Sequence, residues 1–311
     1  MRVTARRVEI LFITSSRIGD AVLSTGLAEH LRLAHPEARF TIACGPAAAG
    51  VFARMPARAQ TLVLRKQRLA GHWLGLWARC VTRRWDLVVD LRGSAFAWTV
   101  PARRRAVKRG GRRPGHRILH IAEVLGITPA PRPVAWFAPE DMARVEPLLP
   151  AQPFLVLGPT ATWAPKMWPA ERFVDLARKL TAPDGPLPGA PIMILGGPGA
   201  EEARMAAPLL AALPGAQPLI GTLSIPEVTA LLSRAGLYVG NDSGLMHLAA
   251  ATGAPTLGLF GPSMVSEYAP VGPRARPVVA PGPAGQAPMR GLSVAAALAA
   301  AQQVLALQPP A

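Results

Sequence analysis

Short apolar runs alternate with helix-like stretches along nearly the whole chain. Each run ends at a glycine or a polar residue, and apolar residues then recur every three or four positions, as in an amphipathic helix. This alternation is typical of parallel α/β domains. The predicted strands are Val8–Thr14, Arg39–Cys44, Thr61–Leu64, Leu87–Leu91, Phe154–Gly158, Pro191–Gly196, Gln217–Ile220, Leu237–Gly240 and Thr256–Phe260.

The helical patterns lie between these strands. A short helix is also expected in "GPAAAGVFARMP" (45–56), and the basic, glycine-containing stretch 103–117 is expected to be a loop. The other predicted helices are Ala21–His35, Ala70–Arg84, Arg117–Leu125, Pro169–Leu180, Glu201–Leu213, Ile225–Ser233, Ser243–Thr252 and Val294–Leu307.

The strand–helix pattern starts twice. A proline-rich stretch, "TPAPRPVAWFAPEDM", leads to "LLPAQP", after which a second series begins. We therefore predict two Rossmann-like, doubly wound domains, 1–150 and 151–311, with ligand sites at the carboxyl ends of the strands, facing each other across a cleft. The last helix is expected either to stay with the second domain or to pack back on the first.

Charge is distributed unevenly between these halves. Residues 1–150 contain 25 Lys/Arg and 10 Asp/Glu, whereas residues 151–311 contain 9 and 8. The first half therefore faces an anionic partner or carries a solvated basic surface. Two cysteines give no disulfide framework, and neither a signal peptide nor a membrane span is expected, so the sequence predicts a cytoplasmic protein.

A tight turn, "NDSG", follows the strand ending at Gly240. Backbone N–H groups at the start of the next helix, with the positive end of its dipole, can hold a diphosphate. Asp242 or Ser243 would also suit the N-cap position of that helix. His247 lies one turn further on, where it is either structural or a hydrogen-bond donor to a phosphate.

Five segments, in order, resemble glycosyltransferase family nine, the ADP-heptose:lipopolysaccharide heptosyltransferases. They cover most of the chain between residues 8 and 263, and five ordered motifs are far more specific than any one alone. The segments are "RIGDAVLSTGLAEHLR", "WDLVVDLRGS", "KMWPAERFVDLA", "ILGGPGAEE" and "NDSGLMHLAAATGAPTLGLFGPS".

The resemblance implies a GT-B fold and inverting transfer of a heptose, or a related sugar, from an ADP-sugar to the inner core of lipopolysaccharide. The first domain would bind the anionic acceptor on lipid A, and the second the nucleotide-sugar. No resident cofactor or metal is implied, although Mg²⁺ assistance is left open. A monomer in peripheral contact with the cytoplasmic face of the inner membrane is expected.

The resemblance also implies roles for single residues. Asp20 would be the general base, although it could instead only cap its helix, and Arg17 would keep it ionised. Lys166 would neutralise the donor diphosphate, and Glu201, or its neighbour Glu202, would contact the ribose. Asp242 is left with three roles: binding sugar hydroxyls, binding a metal-bridged phosphate, or bracing its loop. The remaining donor-binding residues implied are Thr160, Ser243, Gly244, Leu245 and His247.

The acceptor-binding residues expected in the first half are arginines: Arg17, Arg92, Arg103, Arg104 and Arg105. Three uses are open for the basic stretch 103–117: a solvated surface, bidentate binding of acceptor phosphates, or attraction to anionic lipid. The helix within "HWLGLWARCVTRRW" adds aromatic and basic residues, and its apolar side either joins the core or rests on a bilayer.

Two other classes of protein compete with this interpretation. A nucleic-acid-binding protein would explain the basic charge, but no reader motif is present and the near-neutral second half would have no role. A nicotinamide-dependent oxidoreductase would require a GxGxxG fingerprint, which "GGPG" is not. We therefore expect no nucleic-acid partner. Within the family, another nucleotide-sugar donor remains an alternative.

Overall fold

The computed structural model describes residues 7–111 and 113–308. Contacts divide the chain into two compact units, Met1–Trp136 and Phe137–Ala311. This division lies before the boundary expected at residue 150, because helix α4 (Pro139–Val145) packs on a helix of the second unit.

The first unit contains a five-stranded, fully parallel sheet with the strand order β3-β2-β1-β4-β5. Leu11 and Ile13 of β1 are completely buried, together with Cys80 and Trp85 around the second helix. Short 3₁₀ turns occupy 46–52, 68–70 and 95–98. The elements are β1 (Glu9–Ile13), α1 (Ile18–Ala34), β2 (Arg39–Cys44), β3 (Arg58–Val63), α2 (Gly71–Cys80), β4 (Trp85–Asp90), β5 (Ala102–Val107) and α3 (Arg117–Glu123).

The second unit contains a six-stranded parallel sheet with the order β11-β10-β9-β6-β7-β8. Its elements after α4 are β6 (Leu155–Gly158), α5 (Ala170–Thr181), β7 (Ile192–Gly196), α6 (Ala200–Ala212), β8 (Gln217–Ile220), α7 (Ile225–Leu232), β9 (Leu237–Asn241), α8 (Gly244–Ala251), β10 (Thr256–Phe260), α9 (Val265–Tyr268), β11 (Ala275–Val279) and α10 (Val294–Leu305).

Helix α5 shows why the second core forms. Phe173, Leu176, Ala177 and Leu180 recur at helical spacing and are completely buried, whereas the intervening Asp175 is exposed. The last helix, α10, packs on α5 and on β9, β10 and β11 of its own unit. Its expected alternative contact with the first unit stays a prediction. Within the described residues, none of the helices has the length and apolarity needed to cross a bilayer.

Several elements differ from the predicted ones. The stretch 103–117, expected as a loop, begins with edge strand β5, because its arginines alternate across a pleated strand that pairs with β4. Helix α1 begins at Ile18 rather than Ala21, and α2 ends at Cys80 rather than Arg84. Strand β11 and helix α9 were not predicted, since neither carries a clear apolar period.

Three glycines lie side by side across the centre of the second sheet. Gly158, Gly240 and Gly258 are paired in register on β6, β9 and β10. The ring of Tyr238, which is completely buried, occupies the space that side chains at the first two positions would need, and Met246 of α8 occupies the space above the third. Because these three residues lack side chains, Tyr238 and Met246 can pack directly against the sheet beneath α8.

Gly240→Ala should destabilise the protein by about 1–3 kcal/mol through overpacking. The new Cβ would lie 2.7 Å from Cζ of Tyr238 and 2.9 Å from the carbonyl oxygen of Gly158, and the second of these groups is main chain. Urea unfolding measures the change. Gly75→Ala on α2 is the matched control, because its new Cβ would meet nothing within 4 Å beyond its chain neighbours and its own helix backbone. Equal unfolding midpoints for the two variants would show that the glycine row does not limit side-chain size.

Candidate active site

Each sheet has one point at which the strand order reverses. In the first unit, β1 and β4 are neighbours in the sheet. Strands β2 and β3 lie on the far side of β1, and β5 lies on the far side of β4, so the direction in which strands are added reverses between β1 and β4. In the second unit, the same reversal occurs between β6 and β9. Ligands of open α/β sheets bind outside the carboxyl ends of the strands at such switch points. The loops after β1 and β4 are therefore the candidate site of the first unit, and the loops after β6 and β9 are the candidate site of the second.

Asp20 lies at the switch point of the first unit, in the first turn of α1. The Ser15 hydroxyl donates to its Oδ2 at 3.3 Å and accepts the backbone N–H of Arg17 at 3.1 Å. The alternative that Asp20 caps its helix is wrong: α1 begins at Ile18 and Arg17 holds the N-cap position. A carboxylate in the first turn is still stabilised by the helix dipole, and the Ser15 bond orients it.

A buried carboxylate shapes the neighbouring loop after β4. Asp90 is completely buried and accepts the backbone N–H groups of Arg92 at 2.8 Å and Ser94 at 3.0 Å, together with the Ser94 hydroxyl at 2.5 Å. Arg92 is exposed at this turn, and its guanidinium lies 5.1 Å from the ring centroid of Trp73. The structure thus places Arg92 and Asp20 at the same end of the first sheet, beyond the carboxyl ends of its strands.

Lys108 is a further basic side chain at the carboxyl ends of these strands. It directly follows β5, and its N–H donates to the Asp90 carbonyl at 2.9 Å. Burial and the charges of Arg117 and Arg113 lower its pKa, while the charge of Asp20 acts in the opposite direction. The Lys108 ammonium therefore lies within electrostatic reach of Asp20.

The three consecutive arginines of β5 have different surroundings. Arg105 donates to the carbonyls of Ala97, Val100 and Ala102 at 2.8–3.1 Å, so its guanidinium is held by main chain. Arg103 lies 3.6 Å from Asp86, at the start of β4, and Arg104 is exposed in the body of the strand.

These arginines therefore precede the carboxyl end of β5, where Lys108 lies. Arg17 is exposed, and within the described residues it forms no ion pair with Asp20. Arg112 of the basic stretch lies outside the described residues.

An ion pair occupies the switch point of the second unit. Lys166, in the loop after β6, donates to Oδ2 of Asp242, after β9, at 2.5 Å. Oδ1 of the same carboxylate is 3.8 Å from Nε2 of His247. Asp242 and His247 are nearly buried, at 5% and 4% side-chain exposure, whereas the Lys166 side chain is 25% exposed. Asp242 thus orients the lysine and faces the histidine.

Asn241 fixes the loop that carries Lys166, and sequence reasoning missed it. Its Oδ1 accepts the Trp168 backbone N–H at 3.0 Å, and its Nδ2 donates to the Pro159 carbonyl at 2.7 Å, so one buried amide ties both ends of the loop to β9. The Trp168 indole N–H donates to the Leu292 carbonyl at 3.0 Å, and the ring packs edge-on against Phe173. The sequence feature that could have identified Asn241 is an asparagine directly after the predicted strand, at the start of "NDSG".

The N-terminus of α8 adds main-chain donors beside the ion pair. Ser243 holds the N-cap position but makes no side-chain cap bond, and the Asp242 oxygens face Lys166 and His247. Of the two residues expected at the N-cap position, Ser243 therefore occupies it without a side-chain bond, and Asp242 does not occupy it. The first-turn N–H groups at Gly244 and Leu245 lack a side-chain cap, which is the arrangement that binds anions.

The other residues predicted for the donor site lie around the ion pair of Lys166 and Asp242. Thr160 is buried in the loop after β6. Glu202 accepts the N–H of Gly197 at 3.0 Å and so closes the glycine-rich turn after β7, whereas the Glu201 side chain is 78% exposed and lies 3.6 Å from Arg204. Of the two carboxylates, Glu202 is the one turned toward the carboxyl end of the sheet.

A cavity of about 730 Å³ adjoins the loop that carries Lys166. Its lining is largely apolar and includes residues on both sides of the lysine. Principal contributors are Trp163, Met167, Trp168, Met205, Pro208 and Met289.

Within the described residues, no group of three or more His, Cys, Asp or Glu is arranged to hold a metal ion. Burial raises the pKa of Cys44 to about 12 and that of Cys80 to about 11, so both thiols stay protonated near neutral pH.

Comparison with known proteins decides the family. The model of "Glycosyltransferase family 9 (heptosyltransferase)" matches residues 115–290, more than half of the chain. This chain belongs to glycosyltransferase family 9. It is therefore a glycosyltransferase, and the predicted family and enzyme class are confirmed.

Family 9 relatives match along most of the chain. Lipopolysaccharide heptosyltransferase 2 of Salmonella typhimurium is 24% identical over 86% of this chain and 87% of its own. The solved structure of E. coli ADP-heptose lps heptosyltransferase II has a TM-score of 0.76 at 20% identity, covering 96% of this chain and 98% of that one. E. coli heptosyltransferase WaaC with ADP has a TM-score of 0.72 at 18% identity, covering 93% and 97%.

These structural matches confirm the predicted GT-B fold class, with two parallel-sheet α/β domains. In this family 9 chain, each reversal of strand order carries one of the two residues singled out for catalysis, Asp20 in one unit and Lys166 in the other.

Proposed function

We propose that this glycosyltransferase transfers a heptose from ADP-heptose to the inner core of lipopolysaccharide, with inversion at the anomeric carbon. The observation that carries the proposal is the chemistry at the two switch points. One holds an oriented carboxylate, Asp20, and the other holds a lysine beside an uncapped helix N-terminus. The names of the similar proteins, which include ADP and ADP-heptose, supply the donor class.

On the donor side, the leaving group is a nucleoside diphosphate. Lys166 and the first-turn N–H groups of α8 would stabilise the negative charge that grows on it as the glycosidic bond breaks. His247 would donate to the same phosphates, and Thr160 would add a hydroxyl. Glu202, with Glu201 as the alternative, would bind the ribose. We propose no resident cofactor, with Mg²⁺ an optional assistant.

On the acceptor side, Asp20 would act as general base. It takes the proton of an acceptor hydroxyl while that oxygen forms a bond to the anomeric carbon, and the bond from that carbon to the diphosphate oxygen breaks with its electron pair. Attack on the face opposite the leaving group inverts the configuration. Ser15 is a positioning residue for this carboxylate.

Basic residues at the same edge suit an acceptor that carries phosphates and carboxylates. Arg92 and Lys108 lie at the carboxyl ends of β4 and β5, and Arg17 is the N-cap residue of α1. We propose that these three bind the acceptor charges. Arg103 and Arg104 stay candidates further from this edge, and Arg105 is held by carbonyls. The enzyme would act as a monomer in the cytoplasm, in peripheral contact with the inner membrane.

A donor panel tests the proposal. Transfer is measured with ADP-heptose, UDP-glucose and GDP-mannose on lipopolysaccharide core lacking heptose, by mass of the product and by NMR of the new anomeric centre. We expect product from ADP-heptose alone, with inverted configuration. Product formed from another nucleotide-sugar would mean that ADP-heptose is not the donor. Retained configuration at the anomeric carbon would refute the inverting step. Tight binding of duplex DNA without any transfer would favour the nucleic-acid alternative.

A further inference from the structure

The first unit exposes four large apolar side chains around helix α2. Leu69 is fully exposed, Leu74 is 70% exposed, Trp98 62% and Trp77 42%. We call these four residues the α2 face. Exposed apolar side chains scattered singly are ordinary, but a group of this size marks an interaction surface when its members are contiguous.

The members of the α2 face are linked by the fold. Leu74 and Trp77 are three residues apart on one side of α2. The indole N–H of Trp77 donates to the Thr99 carbonyl at 3.2 Å, which ties α2 to the 3₁₀ turn that carries Trp98. Leu69 stands just before α2, and it and Ala70 both have left-handed backbone angles, φ 51° and 58°.

The surroundings of the α2 face are basic. Residues 61–84 contain six Lys/Arg and no Asp or Glu: Arg65, Lys66, Arg68, Arg79, Arg83 and Arg84. The Arg105 guanidinium adds a further charge, 5.6 Å from the ring centroid of Trp98. Arg65 and Arg79 also line a cavity of about 200 Å³ between β3 and α2.

We propose that the α2 face rests on an anionic membrane surface, with its leucines and tryptophans in the headgroup boundary and the basic residues on lipid phosphates. Tryptophan and leucine beside Lys/Arg are the combination that binds bilayer interfaces, and each basic residue near such a surface contributes about 1 kcal/mol. A second copy of this chain fits poorly, because pairing two such faces would bring the same six positive charges together.

This inference rests on the proposed function for one point: a lipid-linked acceptor is presented at a membrane. It adds which surface meets that membrane, and it separates the lipid contacts from the acceptor contacts at Arg92 and Lys108. The residues of the α2 face take no part in the proposed chemistry.

Sedimentation with vesicles tests the surface. The full chain is spun with vesicles of phosphatidylcholine alone and of phosphatidylcholine mixed with phosphatidylglycerol. We expect co-sedimentation with the anionic vesicles only, and about tenfold weaker partitioning for Leu69→Ser/Leu74→Ser. The matched control is Leu33→Ser/Leu119→Ser, which changes two leucines that are 63% and 52% exposed on α1 and α3; it should bind like wild type.

The outcomes separate this inference from the proposed function. Equal vesicle binding by the two double variants would overturn it, as would equal binding to neutral and anionic vesicles. A concentration-dependent dimer that only Leu69→Ser/Leu74→Ser abolishes, with no vesicle binding by wild type, would assign the face to self-association. Transfer to a delipidated core oligosaccharide, measured without vesicles, should be unchanged in Leu69→Ser/Leu74→Ser. Failure of wild type in that assay would count against the transfer reaction alone.

Discussion

Asp20→Asn should lower the turnover of transfer by roughly 10²–10⁴-fold and leave ADP affinity unchanged. The amide keeps the shape of the side chain and can still accept the Ser15 hydroxyl hydrogen bond, but it cannot take a proton. Turnover is measured by ADP release with saturating acceptor, and ADP affinity by calorimetry. Because the fold keeps its contacts, the thermal midpoint should stay close to that of wild type.

Glu29→Gln is the matched control for Asp20→Asn. Glu29 lies on the same helix and pairs with Arg32 at 2.7 Å, so the change also removes a carboxylate from α1. Turnover of this variant should equal that of wild type. If Asp20→Asn transfers at the wild-type rate, Asp20 is not the base; if it loses ADP affinity as well, the residue acts through the fold.

Replacing Lys166 should weaken ADP binding by roughly 10–100-fold, which is the effect of losing one charged hydrogen bond to phosphate. Lys166→Ala alone would leave Asp242 nearly buried without its cation, and such a loss is itself destabilising. Lys166→Met/Asp242→Asn removes both charges together. This double variant should fold near the wild-type midpoint and still bind ADP weakly by calorimetry.

Asp242→Asn by itself separates two of the three roles left open for Asp242, bracing its loop and binding sugar hydroxyls. If the carboxylate braces Lys166, the single variant should bind ADP and ADP-heptose with the same change in affinity. A loss confined to ADP-heptose would instead assign Asp242 to the sugar hydroxyls. If the double variant Lys166→Met/Asp242→Asn binds ADP as tightly as wild type does, Lys166 is not part of the proposed donor site.

Sequence reasoning worked best where local pattern and tertiary structure agree. The inner strands of both sheets are almost wholly buried and apolar on both faces, so short apolar runs marked them. The edge strands β5 and β11 are partly exposed and carry arginines, and they were not predicted. The motifs after β1, β6 and β9 pointed to Asp20, Lys166 and Asp242, because the residue types and their spacing in these segments resemble those of glycosyltransferase family 9.

The surroundings of the basic residues could not be predicted in the same way. Arg103, Arg104 and Arg105 are identical in sequence terms, yet one lies by Asp86, one is exposed and one binds three carbonyls. Asp86 belongs to β4, and the three carbonyls belong to Ala97, Val100 and Ala102, so the surroundings of each arginine depend on how β5 pairs with β4 and how the chain before it turns. Asn241 was missed for a related reason, since its two partners lie more than 70 residues away along the chain.

The glycine row beneath α8 limits how the second unit of this enzyme can change over generations. The ring of Tyr238 fills the space beside both Gly158 and Gly240, so an alanine at either position requires that Tyr238 first be exchanged for a smaller residue. An alanine at Gly240 would in addition meet the main-chain carbonyl of Gly158. That exchange alone would leave a cavity under the helix that carries His247. The positions are therefore epistatic: they must mutate as a set, and lineages that alter donor preference should do so in the surrounding loops while this part of the sheet stays the same.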